Sequence, residues 1–237
     1  MTRRRWLVDG VEGTRAWLTG EHAAHLARVL RARVGQEFDL ATGQVVFVGH
    51  VVSVKEDRVE FELGNPVSAF SLPEVTLVVA IFKFDRFEWA IEKATELGVA
   101  RIMPVIAART EKHLAAAAEK RVERWRRIAV QATEQSRRAG PPKIAAPCKV
   151  DEGLVLLAAT RILLAESKTR LLLTQALLSH STGSALALAV GPEGGWTAGE
   201  IQSFHRAGWI SASLGPTILR AETAAIAGLS VVMAELQ

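Results

Sequence analysis

Two apolar runs near the C-terminus each end at a glycine–proline turn, and that pairing restricts the chain to few architectures. Leu186–Val190 (LALAV) stops at Gly191-Pro192-Glu193-Gly194-Gly195, and residues 210–214 stop at Gly215-Pro216. A short apolar run without polar alternation is what a strand buried on both faces requires. Each turn leads into a helical stretch. The first is predicted to start at Thr197, with Glu200 three residues on to complete a capping box. The second, rich in Ala and Leu, fills the rest of the chain. In open α/β sheets, ligands sit where strand ends open into such loops.

Upstream, residues 75–82, 101–106 and 161–165 have strand character, and helical patterns fall between them. One helix is expected to be capped by Asp85 with Glu88, to turn Phe87, Ile91, Ala94 and Leu97 inward, and to end at Gly98. Others are expected over 117–138, with Val122, Trp125, Ala129 and Ala132 inward, and over 151–159 and 171–178. Strands alternating with helices predict an α/β domain with a mostly parallel sheet over 73–237. Residues 1–68 read differently. A helix over 21–31, with Leu26, Val29 and Leu30 on one face, precedes strands at 37–41, 45–54 and 58–63. Gly43-Gln44 and Glu56-Asp57 are the turns between them. Residues 64–73 (GNPVSAFSLP) are the linker candidate.

Composition narrows function. At 49% hydrophobic residues, the chain is no disordered protein. No uncharged apolar run is long enough to span a membrane, and the start MTRRRWLVDG does not resemble a signal peptide. A single cysteine, Cys148, fits a cytoplasmic chain without disulfides and is expected near a strand end. The net charge of +4 is unevenly spread. Residues 1–33 hold seven arginines against Asp9, Glu12 and Glu21, and residues 112–143 hold nine Lys/Arg against Glu119, Glu123 and Glu134. Two basic blocks in an otherwise acidic chain suggest a polyanion, with nucleic acid first. His22 and His25 lack companion ligands, so no metal is expected.

The usual nucleotide and hydrolase signatures are absent, including GxGxxG, the P-loop, HExxH and GxSxG. The GPEGG turn offers rigid backbone and close main-chain approach, which suits a flat ring such as adenine. In Leu219-Arg220-Ala221-Glu222-Thr223, the glutamate suits a helix start whether or not it has a function. Arg220 does not: a cation there opposes the helix dipole, so a ligand or partner is expected to explain it.

These words resemble one family. KFDRFEWAIEKATELGV (83–99), the 104–109 segment, QATEQSRR (131–138), GPEGGW (191–196), LGPTILRAETA (214–224) and HLARVLRARVG (25–35) match the RsmE-type ribosomal RNA uridine-N3 methyltransferases of the knotted SPOUT superfamily. Phe84 stands where that family usually has glycine, Trp196 where it prefers phenylalanine, and Pro216-Thr217 where it is often more basic. The resemblance implies an N-terminal PUA-like β-barrel for RNA and a C-terminal domain with a deep trefoil knot in about 160–237. It also implies S-adenosylmethionine as cofactor, a homodimer, and a uridine of the 16S ribosomal RNA decoding region in the small subunit as substrate. By position, the cofactor would be held by Leu164, Ala165, Glu166 and Ser167, by Val190, Gly191, Pro192, Gly194 and Gly195, and by Ser213, Leu214, Gly215, Ile218, Leu219 and Thr223. Expected RNA contacts are Arg3, Arg4, Arg5, Arg28, Arg31, Arg33, Lys83, Arg86, Arg109, Lys112, Arg137 and Arg138.

Methylating uridine N3 requires loss of a proton whose pKa lies roughly two units above neutral, a cost on the order of 3 kcal/mol. A base could remove it, or a cation could stabilise the charge spread over O2 and O4. Arg220 suits the second role, and Glu222 or Glu193 could serve the first or position the arginine. The base must be unpaired or flipped, because N3 lies on its pairing edge. Rival readings are a ribose 2′-hydroxyl methyltransferase, a non-catalytic RNA-binding assembly factor and, last, a small-molecule enzyme.

Overall fold

The computed structural model describes residues 4–43, 45–67, 72–155, 158–165, 171–181 and 183–236. Arg3, Glu166 and Ser167 therefore lie outside the described residues, as does Gln44 of one expected turn. The chain divides into two compact units, residues 1–71 with 133–141 and residues 72–132 with 142–237. The segment 133–141 thus clusters with the N-terminal part, although in sequence it lies well inside the second.

The first unit is a mixed six-stranded sheet. Its strands are β1 (Arg5–Leu7), β2 (Gly10–Glu12), β3 (Arg15–Thr19), β4 (Glu37–Ala41), β5 (Val46–Val54) and β6 (Arg58–Val67), in the order β1-β4-β5-β6-β3-β2. Only the β1–β4 pairing is parallel. One face carries the core, including Trp6, Leu18, Phe38, Leu40, Val51, Val59 and Phe61. Gly49 has no room for a side chain, since a Cβ would lie 2.2 Å from the Leu40 side chain.

Between β3 and β4 lies α1 (Gly20–Ala24), continuing as a π-helical turn over His25–Val29. Leu26 is buried, but Val29, expected on the same face, is exposed. The wider π turn rotates successive side chains out of the α-helical phase that the sequence pattern assumes. Strand β6 continues to Val67, so the expected linker is pairing with β5 at Pro66 and Val67. The segment 133–141 is tied to this unit by the Gly43 N–H donating to the Ala139 carbonyl at 2.9 Å. A Cβ at Gly140 would lie 2.1 Å from the Gly43 carbonyl oxygen, so only glycine permits that approach.

The second unit is wholly parallel. Its strands are β7 (Val75–Ala80), β8 (Arg101–Ile106), the short β9 (Lys143–Ile144) and β10 (Cys148–Lys149), β11 (Thr160–Leu164), β12 (Leu186–Val190) and β13 (Ile210–Ala212). The order is β10-β8-β7-β12-β11-β13, with β9 also on β8. Every residue of β12 is buried, which is why its sequence does not alternate. The helices are α2 (Phe84–Glu96), α3 (Lys112–Ala117), α4 (Val122–Gln135), α5 (Val150–Leu154), α6 (Leu173–Leu177), α7 (Ala198–Arg206) and α8 (Ala221–Glu235). One large core joins β7, β12, α2, α4 and α8 through Leu77, Leu188, Ile91, Trp125 and Leu229.

Two local expectations need correction. Helix α2 starts at Phe84 after an N-cap at Lys83 without a side-chain cap. Glu88 therefore lies too far along to close a box; instead its carboxylate accepts from Arg124 Nε at 2.8 Å and from Arg121. The basic helix expected over 117–138 is found as a 3₁₀ turn at Glu119–Arg121 leading into α4, which ends at Gln135, with Ala118 and Val122 in the core. Gly98 does end α2, with φ at +101°.

Candidate active site

The chain path brings the C-terminal ends of β11, β12 and β13 side by side, and their loops enclose a cavity of about 990 Å³. Ligand pockets are roughly 300–1,000 Å³. The walls are Leu164 and Ala165 after β11, Val190 to Trp196 after β12, and Ser211 to Leu219 around β13. Ala221 and Ala224 of α8 close one side, and Arg109, Leu172, Ala198, Ile201 and His205 complete the lining. The cofactor residues expected by position all line it within the described residues, with one exception. Thr223 is exposed and lies outside it. Two residues along α8 from Ala221 is a turn of about 200°, so Thr223 faces away from the wall that Ala221 and Ala224 share.

The loops are set by backbone geometry. Gly195 has φ at +68°, and its N–H donates to the Pro192 carbonyl at 2.8 Å, closing the GPEGG turn. Beneath the loop Trp196 is buried, and a Cβ at Gly191 would lie 3.1 Å from its indole nitrogen. The predicted capping box at α7 is present: Thr197 Oγ1 accepts from the Glu200 N–H at 3.2 Å, and Glu200 Oε2 accepts from the Thr197 N–H at 2.8 Å. The second oxygen of Glu200 accepts from the Ala108 N–H at 2.8 Å, fixing the segment after β8 to the same helix start. Next along that segment, Arg109 donates to the Gly194 carbonyl. On the opposite loop, Gly215 has φ at +132°, and its N–H donates to Ser213 Oγ at 3.1 Å. Ser213 also exchanges main-chain bonds with Leu171 and Leu173, each 2.9 Å.

Charged groups gather at one edge. Arg220 is the N-cap residue of α8 and is exposed. Glu193 lines the cavity with its side chain 36% exposed, whereas Glu222 is buried, 8% exposed. Arg86 of α2 reaches both: its Nη1 is 3.3 Å from Glu193 Oε1 and its Nε is 3.7 Å from Glu222 Oε1. Glu222 Oε2 has no hydrogen-bond partner among the described residues. No sequence spacing signals this cluster, because Arg86 lies more than 100 residues away from either carboxylate.

The other expected RNA contacts are dispersed. In the first unit Arg4, Arg28, Arg31, Arg33 and Arg137 are exposed. Arg28 is paired with Glu56 at 2.7 Å. Arg5 lies 3.7 Å from Asp39 and donates to the Arg137 carbonyl. Arg138 is half-buried, and desolvation pushes its guanidinium down to about 10, so it stays cationic at neutral pH. Arg31 and Arg137, with φ of 50° and 57°, are the non-glycine residues in the left-handed region among those described. In the second unit Lys83 and Lys112 are exposed, while Arg86 and Arg109 are engaged with the GPEGG loop.

His22 sits 3.4 Å from Glu134 and edge-on to Trp6. Among the described residues no group of three or more His, Cys, Asp or Glu is placed to hold a metal ion. No helix there is long and apolar enough to cross a membrane. Cys148 lies in β10 with its thiol 3.8 Å from the Pro104 carbonyl, and burial pushes its pKa up.

Residues 70–233 match the family model described as an RNA methyltransferase domain. Over 93% of the chain, it is 34% identical to the ribosomal RNA small subunit methyltransferase E of Synechocystis, covering 73% of that protein. Identity to the enzyme of the same name from Bacillus subtilis is 31%, covering 91% of this chain and 88% of the other. Among solved structures, the ribosomal RNA small subunit methyltransferase E of Neisseria gonorrhoeae bound to S-adenosyl methionine superposes with a TM-score of 0.82 at 28% identity, covering 99% of this chain and 98% of that one.

Proposed function

We propose, for a chain that belongs to the ribosomal RNA small subunit methyltransferase E family of RNA methyltransferases, that its cavity holds S-adenosylmethionine and that it methylates N3 of a uridine in 16S ribosomal RNA. The observation that carries the reading is the cavity, built from main-chain loops at three adjacent strand ends of a chain of this family. Its residues fit the cofactor. Gly191, Gly194 and Gly195 let a flat ring approach the backbone, and Leu164, Val190 and Leu214 give an apolar surround.

When bound, S-adenosylmethionine supplies an electrophilic methyl group on a sulfonium. The chain's own work is to hold the acceptor in line and to manage its N3 proton. Arg220, exposed beside the cavity loop, is free to meet the uracil oxygens and stabilise the negative charge left when N3 ionises. Of the two carboxylates, Glu193 accepts the proton, a role supported by its lining the cavity, which the buried Glu222 does not. The target nucleotide is flipped out to reach this edge.

Arg4, Arg31, Arg33, Arg137 and Arg138 of the first unit, a PUA-like module in this reading, contact RNA phosphates. Support comes from the backbone strain at Arg31 and Arg137, since left-handed non-glycine residues concentrate at functional sites. A trefoil knot is supported by the strand order: from β12 the chain passes β11 to form β13 at the edge, and α8 then packs back against β12 and β7. Leu172 and Ile218, apolar and exposed at the cavity wall, favour a homodimer that covers them. A ribosomal RNA substrate makes the enzyme cytoplasmic in this reading. The direct test is calorimetric titration with S-adenosylmethionine, followed by transfer of labelled methyl groups to unmethylated small subunits. Binding with incorporation is expected; binding without incorporation on subunits or on bare RNA would favour the assembly-factor reading.

A further inference from the structure

We infer that Arg86 is a positioning residue that couples the two cavity loops, rather than a phosphate contact. The inference rests on the cavity being the cofactor and uridine site. Helix α2 contributes no lining residue, yet it carries the guanidinium that reaches both loops at once. The guanidinium donates a hydrogen bond of 3.3 Å to Glu193, in the loop after β12. It also forms an ion pair at 3.7 Å with Glu222, in the first turn of α8, whose neighbours Leu219, Ala221 and Ala224 form the facing wall. Arg109 holds the first loop from its other side through the Gly194 carbonyl. The GPEGG turn is thus bracketed by two cations at adjacent residues, and Arg86 alone extends the bracket to the second loop.

Three features make the link directional. Glu222 is nearly sealed from solvent, so its charge requires Arg86; Glu193 is open, so its carboxylate is the movable end. The guanidinium is a planar fork that can serve two acceptors with fixed geometry. Glu222 Oε2 has no hydrogen-bond partner among the described residues, and Arg86 is the cation that pairs with its Oε1. Two carboxylates sharing one cation also leave an excess negative charge. That charge repels a backbone phosphate from Arg86.

The test compares wild type, Arg86→Ala and the double variant Arg86→Ala/Glu222→Gln, which removes the unpaired buried charge in case the single variant fails to fold. Three readouts are taken: calorimetric affinity for S-adenosylmethionine, kcat against KM for small subunits, and the salt dependence of RNA binding. A coupling role predicts weaker cofactor binding and a kcat lower by on the order of 100-fold in both variants. KM and the salt slope should stay unchanged. A salt slope reduced by about 1, with kcat and cofactor affinity retained, identifies a phosphate contact and overturns the inference. If wild type binds the cofactor but transfers no methyl group, the functional reading fails, while the affinities of the variants still decide the role of Arg86.

Discussion

The two units place their candidate functional groups in opposite ways. In the second, the cavity is made largely of main chain: glycine turns at strand ends, capped helix starts and short backbone bonds, with few charges, of which Arg86, Glu193 and Glu222 are tied to one another. In the first, a sheet with one buried face presents exposed arginines, several without an ion-pair partner among the described residues. A ligand in the cavity would be recognised by shape fixed before it arrives. A polyanion on the first unit would be recognised by charge, with strength set by ionic conditions. Substitutions should therefore separate by unit into effects on turnover and effects on salt response.

The largest expected effect is at Arg220. Arg220→Ala should lower kcat by about 10²–10³-fold, in line with loss of one charge-stabilising donor, while calorimetry shows cofactor affinity unchanged. Near-normal turnover would remove Arg220 from the chemistry and weaken the contrast between the units.

Gly140→Ala should break the contrast from the other side. Here the first unit depends on backbone contact, and a Cβ would meet the Gly43 carbonyl. Thermal unfolding should show a loss of about 1–3 kcal/mol, as for overpacking. An unchanged melting temperature would mean that residues 133–141 are not held by this approach.

Thr197→Ala removes the oxygen that accepts from the Glu200 N–H, and helix caps of this type contribute about 1 kcal/mol. Chemical denaturation should report that loss. Because Glu200 also holds the Ala108 N–H, cofactor affinity should fall with it. Stability lost without any change in affinity would separate the cap from the cavity.

The smallest effect should come from Arg33→Ala in the first unit. Filter binding across a salt series should show the slope of log affinity against log salt reduced by about 1, with kcat on saturating substrate unchanged. A fall in kcat at a constant slope would place Arg33 in the chemistry and contradict the division.

Legibility in the sequence follows the same division. Strands β8 and β12 are found at the residues their apolar runs indicate, because burial on both faces leaves a continuous signal. The glycine turns and the Thr197–Glu200 box are local chemistry and were equally legible. Strands β1 and β2 have three residues each, too short to show alternation, and none of β1 to β3 was expected. Helical periodicity puts Val29 on the buried face because it assumes an α turn where a π turn forms. Glu88 looks like a cap in the sequence because its partners, Arg121 and Arg124, lie more than 30 residues on. Within the cavity, the lining loops could be assigned by position, yet Thr223 faces outward, and the Arg86 bridge depends on tertiary packing that no spacing encodes.

Nucleoside mass spectrometry addresses the proposed chemistry most directly. Purified protein and S-adenosylmethionine would be incubated with unmethylated small subunits and, separately, with bare 16S ribosomal RNA, and the digested nucleosides compared. New 3-methyluridine is the predicted result, with the assembled subunit as the better substrate. A 2′-O-methylated nucleoside, or no new methylated nucleoside on either RNA while the cofactor binds, would contradict the assignment of uridine N3 as the acceptor.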